Sequence, residues 1–220
     1  MKKRIIVDEY KNSAKYYDFF IGPFLKNIRN EIIKSLKLEK KTNLIEIASG
    51  TGEQAIYFSK FCENIIGIDI SQSMINEAKK KLKKNNNLKV NFICADARKL
   101  PFNSETFDIS TITLGLHEMD PKIRTEILNE MIRITKKNGK IIIADYIKTN
   151  NQNFKTKIIE KIIISIEKFA GEKHYKNYKN FISKNYLENI YKNKMDSLTL
   201  ISKKKALSNN LGIYKFKKIK

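Results

Sequence analysis

Apolar residues in this chain recur in two patterns, one with helical spacing and one with the short runs that are typical of buried strands. The helical spacing predicts helices over 10–20, 24–38, 52–61, 71–84, 120–135, 154–169 and 175–191. The short runs predict strands over 43–48, 64–68, 89–94, 107–113, 140–146, 198–201 and 212–216. Gly22-Pro23 is expected to separate the first two helices, and Gly171 the last two. Strands that alternate with helices indicate a mainly parallel sheet with right-handed crossovers.

The last two predicted strands have no helix between them, and a turn is predicted at Asn209-Asn210. We therefore expect an antiparallel hairpin that closes one edge of the sheet. The other strands are rich in isoleucine on both faces, as a sheet covered on both sides requires. The pattern predicts an α/β fold, Rossmann-like and doubly wound, with helices on both faces of a mostly parallel sheet.

Length and composition agree with one domain. The chain has 220 residues, and 41% of them are hydrophobic, which is enough for a sizeable core. No apolar run reaches the roughly 18 residues of a membrane span, and Asp8 interrupts the apolar start, so no secretory signal is expected. Cys62 and Cys94 are interpreted as small buried hydrophobes. Two cysteines and two histidines show no metal-ligand spacing, so no metal is predicted, and a reducing cytoplasm is the expected setting.

The formal net charge of +21 has two interpretations. It can indicate an anionic partner, such as nucleic acid, membrane headgroups or an acidic substrate. It can also reflect a composition rich in lysine, isoleucine and asparagine throughout. The lysines are spread over predicted solvent faces, which favours the compositional interpretation over nucleic-acid binding. The sequence gives no prediction of the oligomeric state.

The carboxyl ends of the first three strands carry the most informative polar residues. Gly50 and Gly52 let the backbone turn tightly and approach a ligand, and the helix after them offers free N–H groups. Asp69 ends the second strand and can accept hydrogen bonds from two ribose hydroxyls. Asp96 follows the third strand and can accept from an adenine amino group. These positions predict a pocket for an adenosine-containing cofactor.

Two cofactors fit this pattern. Residues 50–55 match the dinucleotide pattern G-x-G-x-x-G/A, and Asp69 lies near the distance expected for the ribose acid of an NAD site. Glu46, however, lies inside the first strand beside the place of a pyrophosphate. A carboxylate there is unfavourable next to phosphates and useful next to an ammonium group. S-adenosylmethionine, which has an amino-acid tail, therefore fits better than NAD.

An ordered set of motifs then resembles a known family. It consists of Glu46-x-Ala48-x-Gly50-x-Gly52, Asp69, Ala95-Asp96-Ala97 with Leu100-Pro101-Phe102, and Phe107-Asp108. Together they resemble the class I S-adenosylmethionine-dependent methyltransferases. Segments 114–119, 130–134 and 138–140 are similar to the branch that holds the ubiquinone/menaquinone-biosynthesis C-methyltransferases. The resemblance covers about 44–146 and implies a seven-stranded sheet of order 3-2-1-4-5-7-6 with the seventh strand antiparallel.

The resemblance also implies roles for single residues. Glu46 and the loop at Gly50 would hold the methionine end of the cofactor, Asp69 the ribose and Asp96 the adenine, and Leu114 would lie near the reactive methyl. The first glycine of the family is Ala48 here. The complete expected cofactor set is Glu46, Ala48, Ser49, Gly50, Thr51, Gly52, Asp69, Ile70, Met74, Asp96, Ala97, Leu114 and Tyr16.

The acceptor side is less defined. His117 follows the fourth strand and is either a general base or a loop histidine that bonds the backbone. Tyr16 and Tyr17 lie in a helix that either covers the cofactor or packs on the sheet. The expected acceptor set is Tyr17, His117, His174 and Tyr175. By segment, 1–40 would form a helical lid, 41–150 the cofactor core, 151–194 the acceptor insertion and 195–220 the closing hairpin.

Methyl transfer to a small-molecule acceptor, such as a quinone-like compound, a lipid or another metabolite, is the predicted function. An RNA or protein methyltransferase is the main alternative, since the chain is basic. Against it, the Asn/Asp-Pro-Pro-aromatic signature of many base methyltransferases is missing after the fourth strand, where 114–117 read Leu-Gly-Leu-His. An NAD-dependent oxidoreductase and a non-catalytic S-adenosylmethionine-binding protein are the remaining alternatives.

Overall fold

The computed structural model describes residues 8, 17–36, 38–84, 88–150 and 153–220, with only the backbone described for 17–24 and 191. The strands are β1 Asn43–Ile47, β2 Asn64–Asp69, β3 Val90–Cys94, β4 Phe107–Thr113, β5 Thr135–Tyr146, β6 Leu198–Ala206 and β7 Leu211–Lys218. The helices are α1 Tyr17–Leu36, α2 Glu53–Phe58, α3 Gln72–Lys83, α4 Pro121–Ile134, α5 Phe154–Phe169, α6 Glu172–Ser183 and α7 Tyr186–Asn193. A 3₁₀ turn, Leu116–Glu118, follows β4.

The seven strands form one sheet of order β3-β2-β1-β4-β5-β7-β6, which confirms the predicted order. The pairs from β3 to β5 are parallel, and β7 is antiparallel to both β5 and β6. The parallel strands β1, β2, β3 and β4 therefore end at one edge of the sheet, and the loops after them meet there. The hairpin of β6 and β7 lies beside β5 and forms the edge of the sheet opposite to β3, as expected.

Alternate residues of the strands enter two separate hydrophobic clusters, one on each face. Along β5, Ile142 and Ala144 join the cluster covered by α1, α2, α3 and α5. Ile141 and Ile143 join the cluster covered by α4 and α7. This period-two alternation between two buried faces is the reason why the strands are apolar on both sides and why helices cover the sheet on both faces.

Several predicted boundaries were wrong, among them the end of the strand predicted over 198–201, which runs to Ala206; three others have a clear physical cause. The chain does not leave the helix at Gly22-Pro23, because α1 runs without a break from Tyr17 to Leu36. A proline inside a helix removes one hydrogen bond at a cost of about 3 kcal/mol. Buried Ile28, Ile32 and Leu36 give the helix enough apolar contact with the sheet to outweigh that loss.

The second difference is β5, which begins at Thr135 rather than at residue 140, because Thr135 already pairs with Phe107 of β4. The register then shifts before Lys140 pairs with Ile109, and Asn138, with a φ of 65°, lies in this irregular stretch. The third is the helix predicted over 175–191, which is two helices. Asn185, with a φ of 47°, separates α6 from α7. Asparagine tolerates this left-handed backbone better than most residues, and it ends the first helix there. In the part of the chain that the structure describes, no helix is long and apolar enough to cross a membrane.

Candidate active site

A cavity of about 460 Å³ opens at the carboxyl ends of β1, β2, β3 and β4 and continues to α6. Nine of the predicted site residues line it, namely Ala48, Gly50, Asp69, Ile70, Met74, Asp96, Ala97, Leu114 and His174. Residues that were not predicted also line it, among them Asp8, Arg98, Glu118, Asp120, Lys173 and Asn177. Side chains from widely separated segments therefore meet around one space.

The loop after β1 has a left-handed backbone at three positions. The φ values are 53° at Ala48, 53° at Gly50 and 77° at Gly52. A Cβ at Gly50 would meet nothing within 4 Å, so the backbone there is open to the cavity, whereas a Cβ at Gly52 would lie 2.4 Å from the ring of Phe92. Glycine is thus required at Gly52 by packing. Ala48 adopts without glycine a conformation that glycine takes more easily, which explains why the family has glycine there.

The end of β4 is closely packed against this loop. Leu114 also has a positive φ, 51°, and lines the cavity. A Cβ on Gly115 would come within 2.9 Å of the Cβ of Ala48. The absence of a side chain at Gly115 lets the ends of β1 and β4 approach each other, and this contact sets the floor of the cavity.

Asp69 holds two loops together at the end of β2. Its carboxyl accepts hydrogen bonds from the backbone N–H of Gly50 at 2.8 Å and of Ser71 at 2.9 Å. Burial raises the pKa of this carboxyl, and the two N–H donors lower it in part. A carboxylate has about four lone-pair sites, so Asp69 keeps acceptor capacity toward the cavity that it lines.

Asp8 is a site residue that the sequence interpretation missed. Its carboxyl accepts from the hydroxyl of Ser71 at 2.7 Å and from the backbone N–H of Ser73 at 2.9 Å, at the start of α3. These bonds bring a residue near the N-terminus to the rim of the cavity. The only sequence signal was an acidic residue in a basic N-terminal stretch, which does not reveal such a long-range contact.

Asp96 lies where predicted but has a neighbour that was not foreseen. Arg98 pairs with its carboxylate, the Nε at 2.9 Å from Oδ1, and the backbone N–H of Arg98 also donates to Oδ1 at 3.0 Å. The pair sits at the rim of the cavity, and both residues line it. The guanidinium contacts both carboxylate oxygens and so fixes the orientation of Asp96 at the rim.

Glu46 lies behind the loop rather than in the cavity wall. It is buried in β1, and burial raises its pKa to about 8 despite the nearby charge of Arg29. Within the described residues, its Oε2 has no hydrogen-bond partner, and the same holds for Arg29 Nε, Ser49 Oγ and Thr111 Oγ1. Buried polar atoms in proteins are nearly always paired, so orphaned atoms around one loop indicate a place where a polar ligand belongs. A cationic amino group fits the orphaned carboxyl oxygen.

The remaining loop residues shape the loop. Thr51 is buried and accepts a hydrogen bond from Lys81 Nζ at 3.0 Å, and Ser49 donates its backbone N–H to the carbonyl of Ile68 at 2.8 Å. Met74 is buried below the cavity, and its backbone N–H donates to Ser71 Oγ at 3.1 Å. None of these bonds requires a ligand, so the loop is formed before one arrives.

His117 does not stand free in the cleft as a general base would. It is buried, its Nδ1 lies 2.7 Å from Asp145 Oδ1, and its Nε2 lies 3.3 Å from Glu167 Oε1. Burial lowers the pKa of the imidazole, but Asp145 and Glu167 outweigh burial and raise it well above its usual range. An imidazolium with both N–H groups directed at carboxylates has no lone pair to accept a proton. A base at His117 does not fit this environment. The sequence pattern did not reveal it, because Asp145 and Glu167 lie far from His117 along the chain.

Arg124 fixes the same region from the other side. It is completely buried and donates to the carbonyls of Leu116 at 2.9 Å and Asn177 at 2.7 Å, and to the side chain of Asn180 at 3.0 Å. These bonds join the 3₁₀ turn to α6. The wall of the cavity between β4 and α6 is therefore held by a buried arginine that the sequence analysis did not single out.

Among the predicted acceptor residues, only His174 lines the cavity. Tyr175 instead packs beside Tyr178, with ring centroids 6.5 Å apart, between Lys168 and Lys179. Two acidic side chains line this wall, Glu118, one residue after His117, and Asp120. Tyr16 lies outside the described residues, and only the backbone of Tyr17 is described, so both stay predictions.

Known proteins are similar to this chain in sequence and in fold. A profile described as the ubiE/COQ5 methyltransferase family matches residues 14–202. Three curated relatives are similar to this chain. The ubiquinone/menaquinone biosynthesis C-methyltransferase UbiE of Idiomarina loihiensis is 27% identical over 155 residues, covering 67% of this chain and 61% of the relative.

The corresponding UbiE protein of Campylobacter jejuni serotype O:2 is 33% identical over 129 residues, covering 56% of this chain and 52% of the relative. The demethylmenaquinone methyltransferase of Shouchella clausii is 25% identical over 148 residues, covering 64% and 62%. This chain thus spans about half to three fifths of the length of these curated relatives.

Two solved structures have the same fold. The S-adenosylmethionine-dependent methyltransferase of Aquifex aeolicus superposes with a TM-score of 0.67 at 18% identity, covering 94% of this chain and 97% of its own. A methyltransferase of Methanococcus maripaludis superposes with a TM-score of 0.67 at 20% identity, covering 100% and 97%. At these identities the likeness establishes the architecture of the sheet and its helices.

Proposed function

This chain belongs to the ubiE/COQ5 methyltransferase family, and we propose that it methylates a small, apolar, quinone-like acceptor at the cavity between β4 and α6. Membership confirms the predicted class I methyltransferase, its enzyme class and its cofactor, S-adenosylmethionine. The single observation that carries the proposal is the continuity of the cavity. It runs from the acidic ends of β2 and β3, which suit a nucleoside, to a wall of mixed apolar and polar side chains from α4 and α6.

The residues around the loop after β1 fit the cofactor. Glu46, with its orphaned oxygen, would pair with the amino group of the methionine end, and Asp69 would accept from the ribose hydroxyls. Asp96, oriented by Arg98, would accept from the adenine amino group, and Ile70 and Ala97, which line the cavity, would pack against the ring. When bound, the cofactor supplies an activated methyl group that a nucleophile can displace in line.

The acceptor would lie against the wall that begins at Leu114. Met119, Ile123 and Ile127 give this part of the cavity an apolar surface, and Lys173 and Asn177 of α6 add polar groups. Such a mixture suits a flat molecule with a few oxygen atoms. The protein aligns this acceptor and keeps water out, because the methyl donor is already activated. The insertion 151–194 supplies α6, which supports its predicted role as the acceptor segment.

We assign the proton-accepting role to Glu118 instead of His117. Glu118 lines the cavity, whereas the imidazole of His117 is directed away into Asp145 and Glu167. An acceptor carbon or hydroxyl that gains a methyl group must lose a proton, and Glu118 is placed to take it. His117 and Arg124 hold the wall on which Glu118 stands.

The first experiment is calorimetric titration with S-adenosylmethionine, S-adenosylhomocysteine and, as a control, NADH. We expect micromolar binding of the first two ligands and none of NADH. Turnover is then measured with a short-tailed demethylmenaquinone reduced to its quinol, and in parallel with RNA. Methylation of RNA but not of the quinol would overturn the proposed acceptor and leave the cofactor assignment intact.

The role of Glu118 is tested by Glu118→Gln, with Asp120→Asn as the matched control because Asp120 lines the same wall. We expect kcat of Glu118→Gln to fall by about a hundredfold or more, while S-adenosylhomocysteine binds as in the wild type. An equal loss in the control would contradict a specific role. The cytoplasmic setting stays a prediction.

A further inference from the structure

Helix α5 exposes large apolar side chains that contribute nothing to the two cores. Phe169 is 95% exposed and Phe154 is 79% exposed, at the two ends of the helix, and Ile158 and Ile162 are about 40% exposed between them. Exposed phenylalanines at this level are costly in water, and a row of apolar residues on one helix marks an interaction site. Together these four residues are called the α5 stripe.

The α5 stripe is a continuous feature of one helix face. At 3.6 residues per turn, its four side chains fall within about 80° of the circumference and extend over about 22 Å. The residues that pack α5 onto the protein, Thr156, Ile163 and Glu167, lie on the opposite side. Helix α5 therefore has two sides with apolar residues. One packs onto the protein, and the other, the α5 stripe, faces solvent.

Lysines border the α5 stripe on both sides. Lys157, Lys161 and Lys168 follow one edge, Lys155 lies at the other, and all four are exposed. The two acids of the helix lie toward its inner side, where Glu167 is buried beside His117. An apolar stripe between lysines is the pattern of helices that lie in the interface of a bilayer, since the chains of lysine reach headgroups while apolar side chains enter the hydrocarbon boundary.

The stripe also ends beside the active site. Phe169 is followed after Gly171 by α6, on which Lys173, His174 and Asn177 line the cavity. The contacts of α5 with the rest of the protein are largely with α6 and the adjacent core. A surface that binds at α5 would thus lie close to the acceptor end of the cavity.

We propose that α5 docks this protein on the surface of a membrane that contains anionic lipids, with Phe154 and Phe169 as the inserted anchors. Four lysines complement anionic headgroups, and they would repel the same face of a second copy. The aliphatic Ile158 and Ile162 at the centre of the stripe suit hydrocarbon and do not stack on bases as a nucleic-acid platform requires. The further idea that docking presents a lipid-soluble acceptor to the cavity rests on the proposed function.

The test is sedimentation of the 220-residue chain with vesicles of phosphatidylcholine, with and without phosphatidylglycerol. We expect the wild type to sediment with the anionic vesicles and to bind neutral ones much less. The double variant Phe154→Ala/Phe169→Ala and the quadruple variant Lys155→Gln/Lys157→Gln/Lys161→Gln/Lys168→Gln should each weaken binding by about tenfold or more. All the substituted side chains are exposed, so we expect these variants to fold as the wild type does.

Two matched controls make the result specific. Phe61→Ala/Met195→Ala removes two exposed apolar side chains elsewhere, and Lys60→Gln/Lys79→Gln/Lys83→Gln/Lys84→Gln removes four exposed lysines near α2 and α3. Both should bind vesicles as the wild type does. Equal losses in the controls, or no sedimentation of the wild type, would overturn the proposal. The proposal would also be overturned if the wild type did not bind vesicles but dimerised or retained RNA, and if only the α5 variants abolished that dimerisation or RNA binding.

Vesicle binding needs neither cofactor nor acceptor, so it stands or falls separately from the proposed reaction. Suppose that the α5 variants lose vesicle binding and still bind S-adenosylhomocysteine and turn over a short-tailed soluble quinol. That result would confirm the α5 stripe as a docking site distinct from the active site. If turnover fails for every quinol while vesicle binding holds, only the acceptor assignment is wrong.

Discussion

Asp69 and Asp145 occupy comparable places at the ends of two parallel strands and serve opposite purposes. Asp69 accepts the backbone N–H of Gly50, in the loop after the neighbouring β1, and that of Ser71 in its own loop. Asp145 accepts the backbone N–H groups of Leu116 and His117, in the 3₁₀ turn after the neighbouring β4. Asp69 keeps one side toward the cavity. Asp145 is almost completely buried, and its remaining capacity is used by His117 and by the backbone N–H of the next residue.

The difference lies in what completes each carboxylate. At Asp69 the structure supplies only neutral donors, and burial raises its pKa, so a ligand with hydroxyl donors would improve its environment. At Asp145 an imidazolium already supplies the compensating charge. We therefore call the cofactor half of the site open, because the carboxylate of Asp69 can still accept hydrogen bonds from a ligand. We call the acceptor half closed, because the carboxylate of Asp145 is already paired with groups of the protein.

Among the tests of this contrast, Asp145→Ala has the largest expected effect. The substitution leaves His117 without its nearest carboxylate and frees the N–H groups of the 3₁₀ turn inside the protein. We expect a loss of about 3–5 kcal/mol in the free energy of unfolding, measured by urea denaturation. A loss below about 1 kcal/mol would contradict the view that this carboxylate is structural.

Asp69→Ala should do the reverse. Because the ribose hydroxyls would lose their acceptor, the affinity for S-adenosylhomocysteine should fall by about a hundredfold, measured by calorimetry. The free energy of unfolding should change less than in Asp145→Ala. Asp69→Asn, which keeps one carbonyl acceptor, is the matched control and should lose less affinity. Unchanged binding in Asp69→Ala would refute the placement of the ribose.

The cofactor half could be predicted from the sequence because its determinants are local. The backbone turn at Gly50 and Gly52 and the acid that ends β2 lie within 20 residues of one another along the chain, and each has a distinct physical requirement. The sheet order followed from the family resemblance, and the alternation of strands and helices predicted the parallel core. The boundaries at residue 22 and near Asn185 were wrong because tertiary packing and a left-handed residue overrode the helical pattern.

The acceptor half could not be predicted in the same way. Its wall depends on pairs that lie far apart in sequence, such as His117 with Glu167 and Arg124 with Asn177. A sequence pattern showed His117 as a titratable residue after a strand and gave no sign of the two acids that surround it. Glu118, directly beside it, lines the cavity and is the residue that we propose as the proton acceptor.

His117 itself provides a direct test of the closed half. Because its pKa is raised in the folded state, the imidazolium adds stability that is fully present below about pH 6.5 and is lost as the pH rises through the folded-state pKa. We expect nitrogen NMR of the ring to show both N–H groups protonated at neutral pH. In Asp145→Asn the titration midpoint should fall. His174, which lines the cavity, is the internal comparison. A neutral His117 ring at pH 7 would restore it as a candidate base.

The smallest expected effect concerns the open half and is the most specific. Glu46 has a pKa of about 8 without a ligand, so it is mostly protonated at pH 7. A cationic amino group placed beside it would lower this pKa, and binding of S-adenosylmethionine should therefore release up to about one proton at pH 7. Titrations in buffers of different ionisation enthalpy measure this proton count independently of turnover.

Glu46→Gln completes this test, because an amide of the same size cannot release a proton. We expect the proton count to drop to near zero and the affinity to fall by only about tenfold, since the amide oxygen still accepts a hydrogen bond. Without ligand, the free energy of unfolding of Glu46→Gln should exceed that of the wild type increasingly from about pH 4.5 to about pH 8 and by a constant amount above it, because the carboxyl ionises in the unfolded wild type and the amide does not. Proton release that persists in Glu46→Gln would move the amino group of the cofactor to another partner. If proton release disappears in Glu46→Gln but is unchanged in Asp145→Asn, the proton comes from Glu46. Glu46, unlike Asp145, would then lack a compensating charge until the ligand binds.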